Sequence, residues 1–354
     1  MIHSCAPARA GNRGAKPLAR PPGSPHNRYV PELPDLEVYV EALAARVLRQ
    51  PLQRVRVTNP FLLRSADPPL AEAEGRQVVA VRRLGKRVVL ALDGELFVSI
   101  HLMIAGRLHW KEPGARPPGR VGLAAFDFPP GTLVLTEAGT KRRAALHLVR
   151  GETALRALDK GGVEPLETDL PTFASALRRE NHTLKRSMTD PGVFAGIGNA
   201  YSDEILHRAR LSPVKLTQRL DDAELARLFD ATRAVLVEWT ERLRREAGAS
   251  FPEGVTAFRP EMAVHGKYRQ PCPVCGTAVQ RIVRAENEVD YCPRCQTDGQ
   301  ILSDRSLARL LKDDWPRTID ELEKNPALGA RPAPQKAASA AKPAKPARRA
   351  STRR

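Results

Sequence analysis

The sequence predicts an α+β protein: an N-terminal helix with a β-sandwich, then a helical domain, then a C-terminal module built on four cysteines. Three observations carry this. Residues 51–150 are rich in Val, Ile and Leu and hold hairpin turn signals. From about Glu152 the apolar residues recur at helical spacing. Beyond residue 262 come two Cys-x-x-Cys pairs.

The first helix is expected just after Pro31 and Glu32, within residues 30–38, Val-Pro-Glu-Leu-Pro-Asp-Leu-Glu-Val. Leu36, Val40, Leu43 and Val47 recur at i, i+4, i+7 and i+11, one apolar stripe. Pro34 suits a first helical turn, where its missing N–H costs nothing. Strands are expected at 77–80, 87–92 and 96–100, with Asp93-Gly94 turning the last two. A further hairpin pairs 124–128 with 132–136 across Pro129-Pro130-Gly131, and 113–120 is a Gly/Pro loop. A compact β-sandwich behind the first helix satisfies these elements.

Helices are expected at 172–179, 183–189, 200–210 and 221–245. Asp221 and Glu224 make a capping box for the last. Its Leu225, Leu228, Phe229, Leu236, Trp239 and Leu243 share one face. Residues 248–260 read as a loop, and 303–311 and 319–324 as short helices. The chain divides into a leader (1–30), a sandwich domain (31–150), a helical domain (151–261), a cysteine module (262–300), a helical extension (301–325) and a tail (326–354).

The 354 residues carry a formal charge of +17. Five of those charges lie in residues 1–29 and eight in 331–354, segments without a single acid, which leaves +4 for the body. Such basicity points to a polyanionic partner. The Ala/Pro/Lys-rich tail is expected to be disordered and to add non-specific affinity by counterion release. No apolar run is long enough to span a membrane. The leader lacks the apolar core of a secretory signal.

Cys272, Cys275, Cys292 and Cys295 follow the pattern C-x2-C-x16-C-x2-C. This is zinc spacing, and paired thiolates on two tight turns close a tetrahedron. Four thiolates leave no open position, so one zinc ion would be structural.

Two other stretches suit phosphate. Gly196-Ile197-Gly198-Asn199 permits a tight turn, with Asn199 capping the next helix and Lys185 beside its N-terminus. Arg82-Arg83-Leu84-Gly85-Lys86 leads into a strand and presents Lys86. Each has an ordinary explanation: a capping residue, a solvated hairpin lysine.

Taken together, the opening at Pro31, the Lys86 hairpin, residues 162–166, the run 181–204 and the cysteine module resemble the formamidopyrimidine-DNA glycosylase / endonuclease VIII family, in order. The resemblance runs from Pro31 to about Gln296. It implies that residues 181–204 form a helix–two-turns–helix and that the cysteines form a zinc finger. It further implies a base-excision-repair DNA glycosylase with AP lyase activity. In that family an opening methionine is removed and the proline amine becomes the nucleophile. Val30 stands at the methionine position, which implies that residues 1–30 are absent from the working enzyme. Pro31 would then attack C1′, Glu32 would handle protons at the sugar, and Lys86 would serve the scissile nucleotide. Lys185 and Asn199 would grip phosphates flanking the lesion. Glu204 matches a carboxylate near the family's site.

Three departures from the pattern matter. The family's void-filling Met, in a His-Leu-Gly-Met-Ser-Gly segment, falls on Ile104. Its Arg–Phe wedge falls on Arg142 and Ala144. Its phosphate-binding Arg in the finger falls on Asn287, with Arg284 as substitute. The expected partner is duplex DNA containing damaged bases or abasic sites, met by a monomer in the bacterial cytoplasm at the nucleoid. Oxidised purine or pyrimidine substrates both remain open. So does a non-catalytic DNA-binding protein, if the leader is retained and Pro31 stays an amide.

Overall fold

The computed structural model describes residues 30–139, 142–253, 255, 259–284, 287–302 and 316–324. The leader, the helix expected at 303–311 and the tail lie outside the described residues.

Helix α1 (Leu33–Val47) carries Pro34 in its first turn and buries Leu36, Val40, Leu43 and Val47, the face expected from their spacing. Ahead of it, the Glu32 N–H donates to the Asp35 carboxylate at 3.0 Å. Eight strands follow, in two antiparallel sheets. One has the order β1 (Arg54–Val57), β6 (Gly122–Phe128), β7 (Gly131–Glu137), β5 (Gly106–Lys111). The other has the order β2 (Val78–Leu84), β3 (Arg87–Leu92), β4 (Leu96–His101), β8 (Ala145–Arg150). The sequence pattern marks five of these; β1, β5 and β8 come in addition. Val88, Leu90, Val98, Ile100, Leu146 and Leu148 from one sheet share a core with Leu108, Phe126, Phe128, Leu133 and Leu135 from the other, and α1 joins it.

Two turns differ in kind. Leu92 pairs with Leu96, so the loop is the three residues Asp93-Gly94-Glu95 that the expected strand ends leave between them. Glu95 takes a left-handed φ of 59° after Gly94 at 69°, and this accommodates the third residue. Leu84 pairs with Arg87, so Gly85-Lys86 is a two-residue turn with Gly85 at φ 55°. That tight turn fixes where Lys86 leaves the sheet.

The helical domain holds α2 (Glu152–Arg156), α3 (Leu170–Arg178), α4 (Leu184–Thr189), α5 (Asn199–Arg208) and α6 (Asp222–Ala247). The capping box of α6 forms: Glu224 N–H donates to Asp221 at 2.8 Å and Asp221 N–H to Glu224 at 3.1 Å. Helix α5 lies on α6, with the Tyr201 and Trp239 rings edge to face at 6.0 Å. The cysteine module contributes the hairpin β9 (Gln280–Arg284) and β10 (Asn287–Tyr291), then α7 (Pro293–Gln296). Its small core is Val264 and Val279 with Cys272 and Cys292. Helix α8 (Ile319–Lys324) closes the described chain.

Arg83 joins three of these parts. Its guanidinium reaches Glu37 of α1 at 2.6 Å, the Gly85 carbonyl at 3.0 Å, and the Glu164 carboxylate. Its side chain is 9% exposed, whereas Glu37 and Glu164 keep 30% and 31%. Arg83→Gln is therefore expected to cost about 2–3 kcal/mol, somewhat less than a fully buried pair, because the carboxylates left behind still reach water. The shift of the urea midpoint at unchanged slope measures it.

Candidate functional site

The site is built where the 195–201 loop meets the start of α1. Leu33 N–H donates to the Gly196 carbonyl at 3.0 Å. Gly196 has φ +82°, and a Cβ there would stand 2.9 Å from Leu33 Cβ. A Cβ on Gly198 would stand 2.6 Å from both Glu32 Cδ and Lys86 Nζ. Glycine is required at 198 by close approach, since its φ of −133° suits any residue. Pro31 and Glu32 are both buried, Glu32 at 1% exposure against this loop.

Glu32 is held by backbone alone on the loop side. Gly198 N–H donates to Oε2 at 2.6 Å, Ala200 N–H to Oε1 at 2.9 Å, and Tyr201 N–H to Oε2 at 3.3 Å. These are the first donors of α5, so Glu32 acts as its cap from far along the chain. The sequence points to Asn199 for that task. Instead Asn199 is the first helical residue and Gly198 the N-cap, with no side chain to offer. The Asn199 side chain is therefore not spent on capping.

Lys86 faces Glu32 across Gly198. Burial pulls its ammonium below the usual lysine range; the Glu32 carboxylate opposes this and the Lys185 charge adds to it. Lys185 is itself buried, and its three donors go to the Asn199 carbonyl at 2.6 Å, Ser202 Oγ at 2.8 Å and Asp203 Oδ1 at 2.5 Å. Its role in this geometry is to fix the first turn of α5. Ile104 is half-buried on the loop between β4 and β5. Arg142 is exposed just before β8 and donates to the Arg120 carbonyl. Ala144 is 3% exposed, inside the core.

The other side of α5 carries groups that the sequence leaves without a role. Glu204 accepts the N–H groups of Ala263, Val264 and His265 at 2.8–2.9 Å, and burial raises its pKa against them. Asp203 accepts from His265 Nδ1 at 2.8 Å as well as from Lys185. Asp290 accepts from Gly266 N–H at 2.7 Å and Arg281 at 2.8 Å. Asp203, His265 and Asp290 come within metal-binding reach of one another. With Lys185 and Arg281 bonded to the carboxylates, they form an ion-pair network that seats the cysteine module.

The four cysteine sulfurs lie within 4.8 Å of one another, Cys272–Cys295 at 3.9 Å and Cys275–Cys292 at 3.4 Å. A tetrahedron with zinc–sulfur bonds of about 2.3 Å has edges of about 3.8 Å, so the set fits one zinc ion. Bound there, zinc closes the module and supplies no open position. His207 of α5 reaches Cys272 Sγ at 3.3 Å and orients it from outside. In the hairpin, the backbone register sets Arg284 opposite Asn287. Cys292→Ser is expected to abolish the single zinc found by elemental analysis and to weaken binding to duplex DNA at least tenfold. A zinc-free native protein would refute the ligand set.

Three family models match the chain: the formamidopyrimidine-DNA glycosylase N-terminal domain over 30–144, the H2TH domain of the same enzymes over 162–247, and the zinc finger found in FPG and IleRS over 269–297. A formamidopyrimidine-DNA glycosylase of Heliobacterium modesticaldum is 34% identical over 281 residues, covering 75% of this chain and all of that one. The Thermus thermophilus enzyme is 34% identical over 284 residues, covering 76% of this chain and all of that one. The crystal structure of the MutM (Fpg) protein from Thermus thermophilus superposes with a TM-score of 0.63 at 33% identity, over 75% of this chain and 98% of that one. With the helix start, the glycine loop and the four-cysteine centre in the same order, the chain belongs to the formamidopyrimidine-DNA glycosylase family.

Proposed function

We propose that Pro31, once it is the first residue of the chain, is the nucleophile of a base-excision-repair DNA glycosylase with AP lyase activity. The observation that carries this is the meeting of Glu32 and Lys86 over Gly198, one residue from Pro31. The damaged nucleotide is flipped out of the duplex, at a cost of a few kcal/mol. Ile104 and Arg142 fill the gap and face the orphaned base, with no aromatic wedge beside them because that position is the buried Ala144.

The secondary amine of Pro31 attacks C1′ and the base leaves with its bonding electrons. An α-amine has a reference pKa of about 8, so a useful neutral fraction exists at neutral pH. Oε1 of Glu32 accepts one N–H, which leaves that oxygen with lone-pair capacity. Glu32 handles the protons at the ring oxygen and at the opened sugar. The resulting iminium acidifies C2′–H, and loss of that proton expels the 3′ phosphate. Lys86, pulled toward the neutral amine by burial, serves as the neighbouring base or phosphate ligand. Asn199, half-buried and with its side chain unspent on the cap, addresses a flanking phosphate, while Lys185 holds that turn in place. Arg284, opposite Asn287, takes the finger's phosphate and so bears on the δ-elimination step. Chromosomal DNA as substrate would put its work at the nucleoid.

Two experiments test this. Gly198→Ala pushes a methyl group into both Glu32 and Lys86. Its single-turnover base-excision rate should fall about 10²-fold or more, with zinc content unchanged. The second uses protein starting at Pro31 and duplex DNA with an abasic site, so that only amine chemistry is read. Borohydride should trap a covalent protein–DNA adduct. One extra residue ahead of Pro31 turns the amine into an amide; trapping should vanish while DNA affinity changes far less. Glu32→Gln should bind DNA and process a damaged base poorly. Equal trapping by the extended protein would move the nucleophile to another amine, Lys86 first.

A further inference from the structure

Glu32 is held in two places. Its side chain accepts the first N–H groups of α5, and its own N–H donates to Asp35 Oδ2 at 3.0 Å. That N–H belongs to the planar peptide that joins Pro31 to Glu32. Fixing it fixes the plane and the position of the Pro31 Cα. Rotation about one bond, Cα–C of Pro31, is then the freedom left to the nitrogen that would attack C1′. The hold depends on Asp35, whose side chain is fully buried in the first turn of α1. A buried carboxylate stays charged only where its surroundings compensate it.

A cation for it arrives from far along the chain. Arg259, at the end of the 248–260 loop, sets Nη2 3.6 Å from Asp35 Oδ1. Its Nη1 donates to Glu246 near the end of α6 at 2.9 Å, and its guanidinium lies 5.9 Å from the centre of the Trp239 ring. The Arg259 side chain is 9% exposed. Its segment is fastened again further on, where Ala263, Val264 and His265 donate to Glu204 of α5. A cavity of about 270 Å³ borders the pair, lined by Asp35, Glu246, Glu253 and Arg259 with Val38 and Phe251 among others. Three carboxylates thus share one space. Glu253 is met by His109 and Lys111 of β5, while Arg259 faces both Asp35 and Glu246.

We propose that Arg259 is a positioning residue for the glycosylase reaction: it holds Asp35 as the acceptor that orients the Pro31–Glu32 peptide, and through that peptide the attacking amine. The proposal rests on Pro31 as nucleophile for its consequence in catalysis, and on the Asp35 contact alone for the hold on Glu32. Loss of the guanidinium leaves Asp35 facing two other carboxylates across the cavity, which disfavours its charged form. A neutral carboxyl is the weaker acceptor, so the Glu32 N–H loosens. Misplacing a reacting group by about 1 Å can cost about 10²-fold in rate. The effect falls on the chemical step, so affinity for DNA is spared.

The test uses the zinc-loaded chain beginning at Pro31. In Arg259→Gln, the single-turnover rate on a damaged base and the rate of borohydride trapping on abasic-site DNA should each fall about tenfold or more, with Kd for the same DNA within about twofold of the parent. Arg259→Lys, which keeps the charge, should recover most of the loss. Arg46→Gln is the structural control: Arg46 ties the far end of α1 to the same loop, through the Ala249 carbonyl at 3.0 Å, and its loss should leave both rates intact. A second readout is independent of the chemistry. Hydrogen exchange of the Glu32 amide in the free protein should quicken about tenfold in Arg259→Gln and return toward the parent in Arg259→Lys. Asp35→Asn combined with Arg259→Gln should be no slower than Asp35→Asn alone, because both act through one contact. Unchanged Glu32 exchange in Arg259→Gln, losses that multiply in the double variant, or an equal loss in Arg46→Gln overturns the proposal. A parent that traps no abasic DNA overturns the nucleophile instead, and the Glu32 exchange then still decides the hold.

Discussion

Much of the structure depends on one carboxylate at the end of one helix. The first N–H groups of any helix need acceptors, and the usual source of such help is a Ser, Thr, Asp or Asn at the N-cap. Helix α5 has Gly198 there, and its acceptor comes from Glu32, 166 residues earlier in the chain. A buried carboxylate is costly unless it is hydrogen-bonded, and three N–H groups with the positive end of a helix dipole offset that cost. The same bonds therefore complete a helix, fix the start of α1 and aim a carboxylate. This also explains Gly198: where a capping side chain would normally stand, the approach of Glu32 and Lys86 leaves no room for a Cβ.

Helix α5 then serves as the spine between chemistry and metal. Its first turn meets Glu32; its middle is tied to Lys185 through Ser202 and Asp203; Glu204 and His207 hold the cysteine module. Ten residues thus set the position of the zinc module relative to Pro31. The fastening is made mostly of buried charge. Burying an ion pair gains little stability over an apolar pair of equal size. It does penalise misalignment, because each group left unpaired bears its full desolvation cost. A network of Lys185, Asp203, His265, Asp290 and Arg281 is thus better suited to fixing geometry than to adding stability.

What the sequence makes legible depends on which interactions are local. The stripe of α1 and the capping box of α6 lie within a few residues and read directly. The four cysteines read because metal ligation constrains spacing. Strands β1, β5 and β8 do not stand out. β1 is four residues long, β5 sets only Leu108 and Trp110 among Arg107, His109 and Lys111, and β8 breaks Leu146, Leu148 and Val149 with His147. Their identity comes from distant partners, as in the pairing of β1 with β6. The cap of α5 falls wrongly on Asn199 for the same reason: a plausible local residue is present, and the true acceptor lies in another domain. Arg83 is legible only as part of a basic run, because its carboxylates at 37 and 164 flank it from afar.

The electrostatics of the site follow from this assembly. Lys86 leaves a two-residue turn, so it has little freedom to retreat into water. Burial weakens its charged form, and Lys185 behind the first turn of α5 weakens it further. Glu32 opposes them while also accepting three N–H groups. Asp203 pairs with Lys185, so that charge is answered from the far side of the turn. A single packing solution around Gly198 thus both aims the Glu32 carboxylate and sets Lys86 against it.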